Sequence, residues 1–243
     1  MIMNRIIKPT IVLAVIAFFA SLALSHINRI TRDRIDQRIL QRKEEALQRV
    51  LPGSLGYQII QKDKKVIIDG KEFVYSVAEK KEADKTFRGY AFLTSKNGYS
   101  GAVKTMVGID HEGKIIAISI IQQSETPGLG ARAKEVPSSE TFFGHFFGSS
   151  NPVDTTANNN NASWFEEQFS GIDTNHKIGI LKKGEWRKDN TALATELLAK
   201  NSVSAITGAT ITTKTVTDSI ENSMLLLRKA IELENKAVEE TAQ

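Results

Sequence analysis

AVKTMVGI (residues 102–109), DHEG (110–113) and KIIAISIIQ (114–122) form the stretch on which the fold turns. Two apolar runs of strand length flank four turn-forming residues, and the pattern reads as an antiparallel β-hairpin. Working outward, Gln58 to Ile68, Phe73 to Val77 and Phe87 to Leu93 have strand composition, and Ser95-Lys96-Asn97-Gly98 is a turn signal. Downstream, Asn151 to Ser163 is rich in Asn, Ser and Thr and has no core potential, so it reads as a surface loop or insertion. Trp164 to Phe169 is a short helix or strand, and Thr191 to Lys200 has helical composition. A long helix is predicted over Thr213 to Lys236, with apolar residues at Val216, Ile220, Leu225, Leu227 and Ile231. Antiparallel strands followed by helices indicate an α+β domain.

The N-terminus has a different character. From Pro9 to Ile27 no side chain carries a full charge, and the run is apolar. Its roughly 19 residues, at about 1.5 Å each, span the hydrocarbon core of a bilayer. A cleaved signal peptide has a shorter apolar region, and Ile30 to Val50 looks helical rather than like a cleavage site. The reading is a retained single-pass anchor over residues 1–28. An amphipathic helix over 29–52 follows, with Ile35, Ile39, Ala46, Leu47 and Val50 on one face, and Leu51-Pro52-Gly53 stops it. Residues 53–243 form the folded domain, with a polar insertion at about 149–163. Arg29, Arg32, Arg34, Arg38, Arg42 and Lys43 outnumber Arg5 and Lys8, which by the positive-inside count keeps the large domain cytoplasmic; Asp33, Asp36, Glu44 and Glu45 dilute that cluster.

Composition removes several functions. The net charge of +4 comes from mixed acids and bases, with no basic-aromatic stripe, so nucleic acid is not a partner. Cysteine is absent, which excludes thiolate iron–sulfur ligation, disulfides and cysteine nucleophiles. The four histidines, His26, His111, His145 and His176, lie at no metal-ligand spacing, so a redox cofactor here must be organic. No paired carboxylates, Ser-His-Asp set or phosphate-binding Walker loop supports hydrolysis or phosphoryl transfer. Glu166-Glu167 reads as a solvated pair. Phe142, Phe143, Phe146 and Phe147 around His145 are either core or an exposed docking edge.

One segment carries chemistry: ITGATITT, residues 206–213, directly before the last helix. Small residues let another group approach the backbone, and a helix N-terminus presents N–H groups and partial positive charge. That combination suits a phosphate near a threonine hydroxyl. The same threonines also suit capping: Thr212, Thr213 or Thr215 could start the helix, with Thr215 and Asp218 resembling a capping box.

Thr207-Gly208-Ala209-Thr210 resembles the flavinylation motif of the FMN-binding domain family, Asp-x-x-(Ser/Thr)-Gly-Ala-Thr. Glu125-Thr126-Pro127-Gly128-Leu129-Gly130 is similar to a signature shared by the G subunit of Rnf complexes and the C subunit of sodium-pumping quinone reductases. Gly98-Tyr99-Ser100-Gly101, and Trp164-Phe165 with Phe169-Ser170-Gly171, also resemble family segments. The resemblance covers most of the chain after about Gly89, plus the anchor. The pattern's Asp, thought to serve recognition by the transferase or its metal, falls on Ser204, a departure that bears on the efficiency of attachment.

The resemblance implies that residues 53–243 are an FMN-binding domain in which a flavin transferase, with FAD as donor, esterifies the FMN phosphate to Thr210. It implies flavin contact at Thr126, Gly128 and Leu129, with Thr207, Gly208 and Ala209 at the phosphate. Lys214 is either a phosphate partner or a solvated helix lysine. The implied role is a covalently flavinylated electron carrier without catalysis of its own. It would sit among the other membrane subunits of an Rnf ferredoxin:NAD oxidoreductase that moves sodium or protons. The family places this domain on the outer side of the cytoplasmic membrane, against the charge count. The C subunit of the sodium-pumping quinone reductase and a non-redox anchored binding domain are the alternatives.

Overall fold

The computed structural model describes residues 2–82, 85–134, 162–184 and 190–241. Phe142, Phe143, His145, Phe146 and Phe147, and the polar insertion up to Asn161, lie outside them. The chain forms two compact units, Met1–Glu44 and Glu45–Gln243. The first is helical: α1 runs as one helix over Ile2–Val50, so the expected anchor and the expected amphipathic helix are continuous. Its apolar side chains from Ile11 to Ile35 are exposed, and the helix is long and apolar enough to cross a membrane.

Five strands form one antiparallel sheet in chain order: β1 (Tyr57–Ile68), β2 (Lys71–Glu82), β3 (Lys85–Asn97), β4 (Ala102–Ile109) and β5 (Ile115–Gln122). The hairpin expected at 110–113 joins β4 to β5, with Met106 opposite Ser119 and Val107 opposite Ile118. β3 runs through residues 95–97 of the expected turn, and the chain reverses at Gly98–Gly101, where the Gly98 N–H donates to the Gly101 carbonyl at 2.8 Å.

Because side chains alternate across a strand, the sheet has two buried faces. Phe73, Tyr75, Phe92, Val107, Ile118 and Ile120 point to one face and pack with Val216, Ile220, Met224 and Leu227 of the last helix, α4 (Thr210–Thr241). Those helical residues recur at three- and four-residue spacing, which puts them on one stripe. The opposite face carries Ala78, Ala91, Met106 and Ile121, and is covered by Ala46, Leu47 and Val50 at the end of α1 and by Leu51 just after it. Gly108 makes that cover fit. A Cβ at this position would lie 2.8 Å from the Val50 Cβ and closer still to its backbone.

Three short elements complete the domain: α2 (Trp164–Glu167), α3 (Thr191–Ala199), and a parallel pair, β6 (Gly179–Leu181) with β7 (Ser202–Ser204). α2 corrects the expectation of a solvated Glu166-Glu167 pair. Ser163 caps the helix, its hydroxyl accepting from the Glu166 N–H, while the Glu166 carboxylate accepts from Ser163 N–H at 3.0 Å and Ile120 N–H at 2.5 Å. Glu166 is thereby buried and only Glu167 is partly exposed. Burial pushes the Glu166 carboxyl above its ordinary value. The two N–H groups and the charges of Arg49 and Lys134 oppose that shift without cancelling it. The expected Thr215–Asp218 capping box is also corrected. α4 begins five residues earlier, at Thr210, and the Thr215 hydroxyl donates to the Asn97 carbonyl while Asp218 pairs with Lys96.

Candidate functional site

Three segments far apart in sequence meet at the head of α4. They are the β3–β4 turn at 98–101, the loop after β5 at 125–130, and the β7–α4 connection at 205–212. Together with Lys182 and Gly184 they enclose a cavity of about 680 Å³, within the roughly 300–1,000 Å³ typical of small-molecule sites.

Glu125 ties the three segments together. Its Oε1 accepts from the Ser100 N–H at 3.0 Å, and its Oε2 accepts from the Tyr99 N–H at 3.3 Å and the Thr212 hydroxyl at 2.5 Å. Glu125 is only 5% exposed. Burial pushes its carboxyl up, but the hydrogen bonds from Thr212 and from the N–H groups of Ser100, Tyr99 and Gly101 outweigh burial and hold it below its ordinary value. A further link joins the Ser100 and Thr126 hydroxyls at 3.2 Å.

The threonines of 207–213 divide into two kinds. Thr213 is buried, accepts from the Ile206 N–H at 3.0 Å and donates to the Ala209 carbonyl at 3.4 Å, which locks the turn into the helix. Thr212 is buried against Glu125. Thr207 and Thr210 are exposed to the cavity, and among the described residues no group hydrogen-bonds either hydroxyl. Thr210 is the first residue of α4, where the N–H groups of the first turn have no carbonyl within the helix to bond. Gly208 supplies the left-handed step into the helix (φ +78°), and a Cβ there would meet the Leu129 side chain at 2.9 Å.

Ser204, where the flavinylation pattern has Asp, is fully buried under the cavity wall. Its hydroxyl donates to the Gly184 carbonyl, and the Gln168 side-chain amide brackets its backbone, accepting from Ser204 N–H at 2.7 Å and donating to its carbonyl at 3.2 Å.

Of the residues singled out by sequence, Thr126, Leu129, Thr207, Gly208, Ala209 and Thr210 line the cavity, whereas Gly128 and Lys214 do not. Lys214 is exposed on α4. Tyr99, Glu125, Lys182 and Thr212 also line the cavity, and sequence reasoning does not mark them as site residues. Tyr99 and Glu125 lie within recognised motifs, but nothing in the sequence around Lys182 distinguishes it.

The donor set fits a flavin mononucleotide in chemical kind. The first turn of α4 and the Lys182 ammonium suit the phosphate, and the partly exposed apolar surfaces of Tyr99, Leu129 and Ile211 (74%, 43% and 56%) suit an aromatic ring. Curated relatives bear related names. The G subunit of the Na(+)-translocating ferredoxin:NAD(+) oxidoreductase complex of Acetobacterium woodii is 27% identical over 90% of each chain. The G subunit of the ion-translocating oxidoreductase complex of Haemophilus influenzae is 32% identical over 49% of this chain and 58% of its own length. The G subunit of the proton-translocating ferredoxin:NAD(+) oxidoreductase complex of Clostridium ljungdahlii is 29% identical over 59% of this chain and 69% of its own. Among solved structures, the C subunit of the Na(+)-translocating NADH-quinone reductase from Parabacteroides distasonis is 20% identical, covers 69% of this chain and 73% of its own, and superposes with a TM-score of 0.38. The pattern of the FMN-binding domain matches residues 98–224, a stretch that begins at the β3–β4 turn and contains all three cavity-forming segments, and the chain belongs to that family.

Proposed function

We propose that this chain is a membrane-anchored electron-carrier subunit of an Rnf-type ion-translocating ferredoxin:NAD oxidoreductase, with FMN held covalently through its phosphate on the Thr210 hydroxyl. The observation that carries this reading is the placement of Thr210: an exposed hydroxyl, bonded by no group among the described residues, opening the first turn of α4 at the wall of the cavity. The names of the relatives support the assembly, and the apolar run of α1 supports the anchor.

In this reading a flavin transferase forms the ester with FAD as the FMN donor: the Thr210 oxygen bonds to the FMN phosphorus, the pyrophosphate bond of FAD breaks, AMP leaves and the hydroxyl proton passes to solvent. The chain's own residues then do three things. The N–H groups of the first α4 turn hold the phosphate's negative charge, as helix N-termini do. Thr126, Leu129 and Tyr99 exclude water from part of the ring. Thr207, Gly208 and Ala209 leave room for the ester at the backbone. The bound flavin supplies one- and two-electron transfer. Covalent attachment prevents exchange of the carrier with solvent, so the other Rnf subunits meet a cofactor that stays in place. The domain then lies on the outer side of the cytoplasmic membrane, where the family's transferase works.

Intact-mass analysis and in-gel fluorescence of the denatured full chain, coexpressed with a flavin transferase, test the reading. The wild type is expected to carry one FMN-sized adduct and to fluoresce, and Thr210→Ala to show neither. An unmodified wild-type polypeptide, or an adduct that survives in Thr210→Ala, overturns it.

A further inference from the structure

We propose that Glu125 is a positioning residue for the cofactor site: its carboxylate fills the anion-accepting turn at 98–101 and so leaves the head of α4 as the place for a ligand phosphate. The proposal rests on the reading of the cavity as a flavin site and goes beyond it.

Consecutive backbone N–H groups that converge on one point form a concavity that binds anions. The Tyr99 and Ser100 N–H groups converge in this way, and what they meet is the Glu125 carboxylate. The cavity therefore contains two anion-accepting elements, the 98–101 turn and the first turn of α4, and one of them is already satisfied from within the chain. The occupied turn cannot compete for a phosphate, and the carboxylate repels one. Thr212 is handled similarly, because its hydroxyl donates to Glu125 Oε2 and is spent on the protein.

The close approach is built into the backbone. A Cβ at Gly98 would lie 2.5 Å from Glu125 Oε1, and a Cβ at Gly130 would lie 2.7 Å from Oε2 and 2.5 Å from the Thr212 hydroxyl. All of these distances fall well inside van der Waals contact, so only glycine at 98 and 130 lets the carboxylate seat between the turn and the helix. A negative charge fixed in the cavity wall also makes it harder to place electrons on a neighbouring flavin, which gives the residue an electrochemical signature that a purely structural role lacks.

The midpoint potential of the bound flavin, measured on the full chain, tests this. Glu125→Gln is expected to shift the potential to more positive values. Glu125→Ala is expected to shift it in the same direction, and sodium formate, by refilling the turn, to return it towards wild type where sodium chloride at equal ionic strength does not. A potential unchanged in Glu125→Gln, or a shift in Glu125→Ala that formate leaves in place, overturns the proposal. Should neither Glu125 variant fold, Thr212→Val decides. It keeps the charge but removes one donor to it, so the acidic step in the plot of potential against pH, where the carboxyl takes up its proton, moves to higher pH than in wild type. A plot superimposable on wild type overturns the proposal. The potential reads the flavin however it is held, so loss of the Thr210 ester alone overturns only the covalent reading, whereas absence of any bound flavin overturns both.

Discussion

Thr207 and Thr210 differ from Thr212 and Thr213 in one respect: what their hydroxyls already do. All four lie within seven residues of one another. The first two face the cavity and, among the described residues, no group hydrogen-bonds their hydroxyls, whereas the second two are buried and spent on Glu125 and on the Ile206–Ala209 turn. The difference shows that a run of identical side chains can be part scaffold and part open cavity wall, and that hydrogen-bond commitments separate them. The separation is testable residue by residue.

The largest effect is expected at Thr210. Thr210→Ala should remove the FMN adduct entirely, read by intact mass, while leaving the denaturant midpoint of the unmodified chain within error of wild type. Thr213→Ala should do the reverse. It leaves the buried Ile206 N–H without its acceptor, a loss of about 2 kcal/mol in denaturant unfolding, with the adduct retained. Thr212→Val comes next, at about 1 kcal/mol near neutral pH. Its sign with pH follows from Glu125, whose folded-state carboxyl sits below its ordinary value. Such a group stabilises the fold above its unfolded value and loses that contribution as pH falls through its folded value. Wild type and Thr212→Val should therefore converge in stability below about pH 4, as urea titrations across that range would show. Thr207→Ala should be the mildest, within about 0.5 kcal/mol and with the adduct intact. An adduct lost at Thr207 rather than Thr210 would redraw the division.

The buried carboxylates extend the same lesson. Glu166 is satisfied by two N–H groups and is held above its ordinary value; Glu125 has four donors and is held below it. Glu166 therefore stabilises the fold most below its unfolded value and loses that contribution as pH rises through its folded value. Glu166→Gln should flatten the decline in stability above about pH 4.5, measured by thermal melts at stepped pH.

Much of this is legible in the sequence. The 102–122 hairpin, the α+β order and the last helix follow from apolar runs, turn residues and helical spacing, because one buried face imposes a period. The two-sided burial of the sheet is less visible. Ala78, Ala91, Met106 and Gly108 are too small or too mixed to advertise a second packed face. β6 and β7 leave no trace because three residues are too few to show a period. Ser163-x-x-Glu166 has the spacing of a capping box, but the neighbouring acid makes Glu166 look solvated. At the site, Thr126, Leu129 and the 207–210 segment stand out through motifs, while Lys182 arrives through the pairing of β6 with β7 and the tether of its loop to Ser204, contacts between elements that no local pattern records.

The contact between Gly108 and Val50 bears on how this protein should be cut for study. The last turn of α1 belongs to the same compact unit as the sheet it covers. A soluble fragment starting at Glu45 keeps that lid, whereas one starting at Gly53 strips Ala91, Met106 and Ile121 of their cover and offers a bare apolar sheet to other molecules. The first should run as a single species in gel filtration, and the second should aggregate.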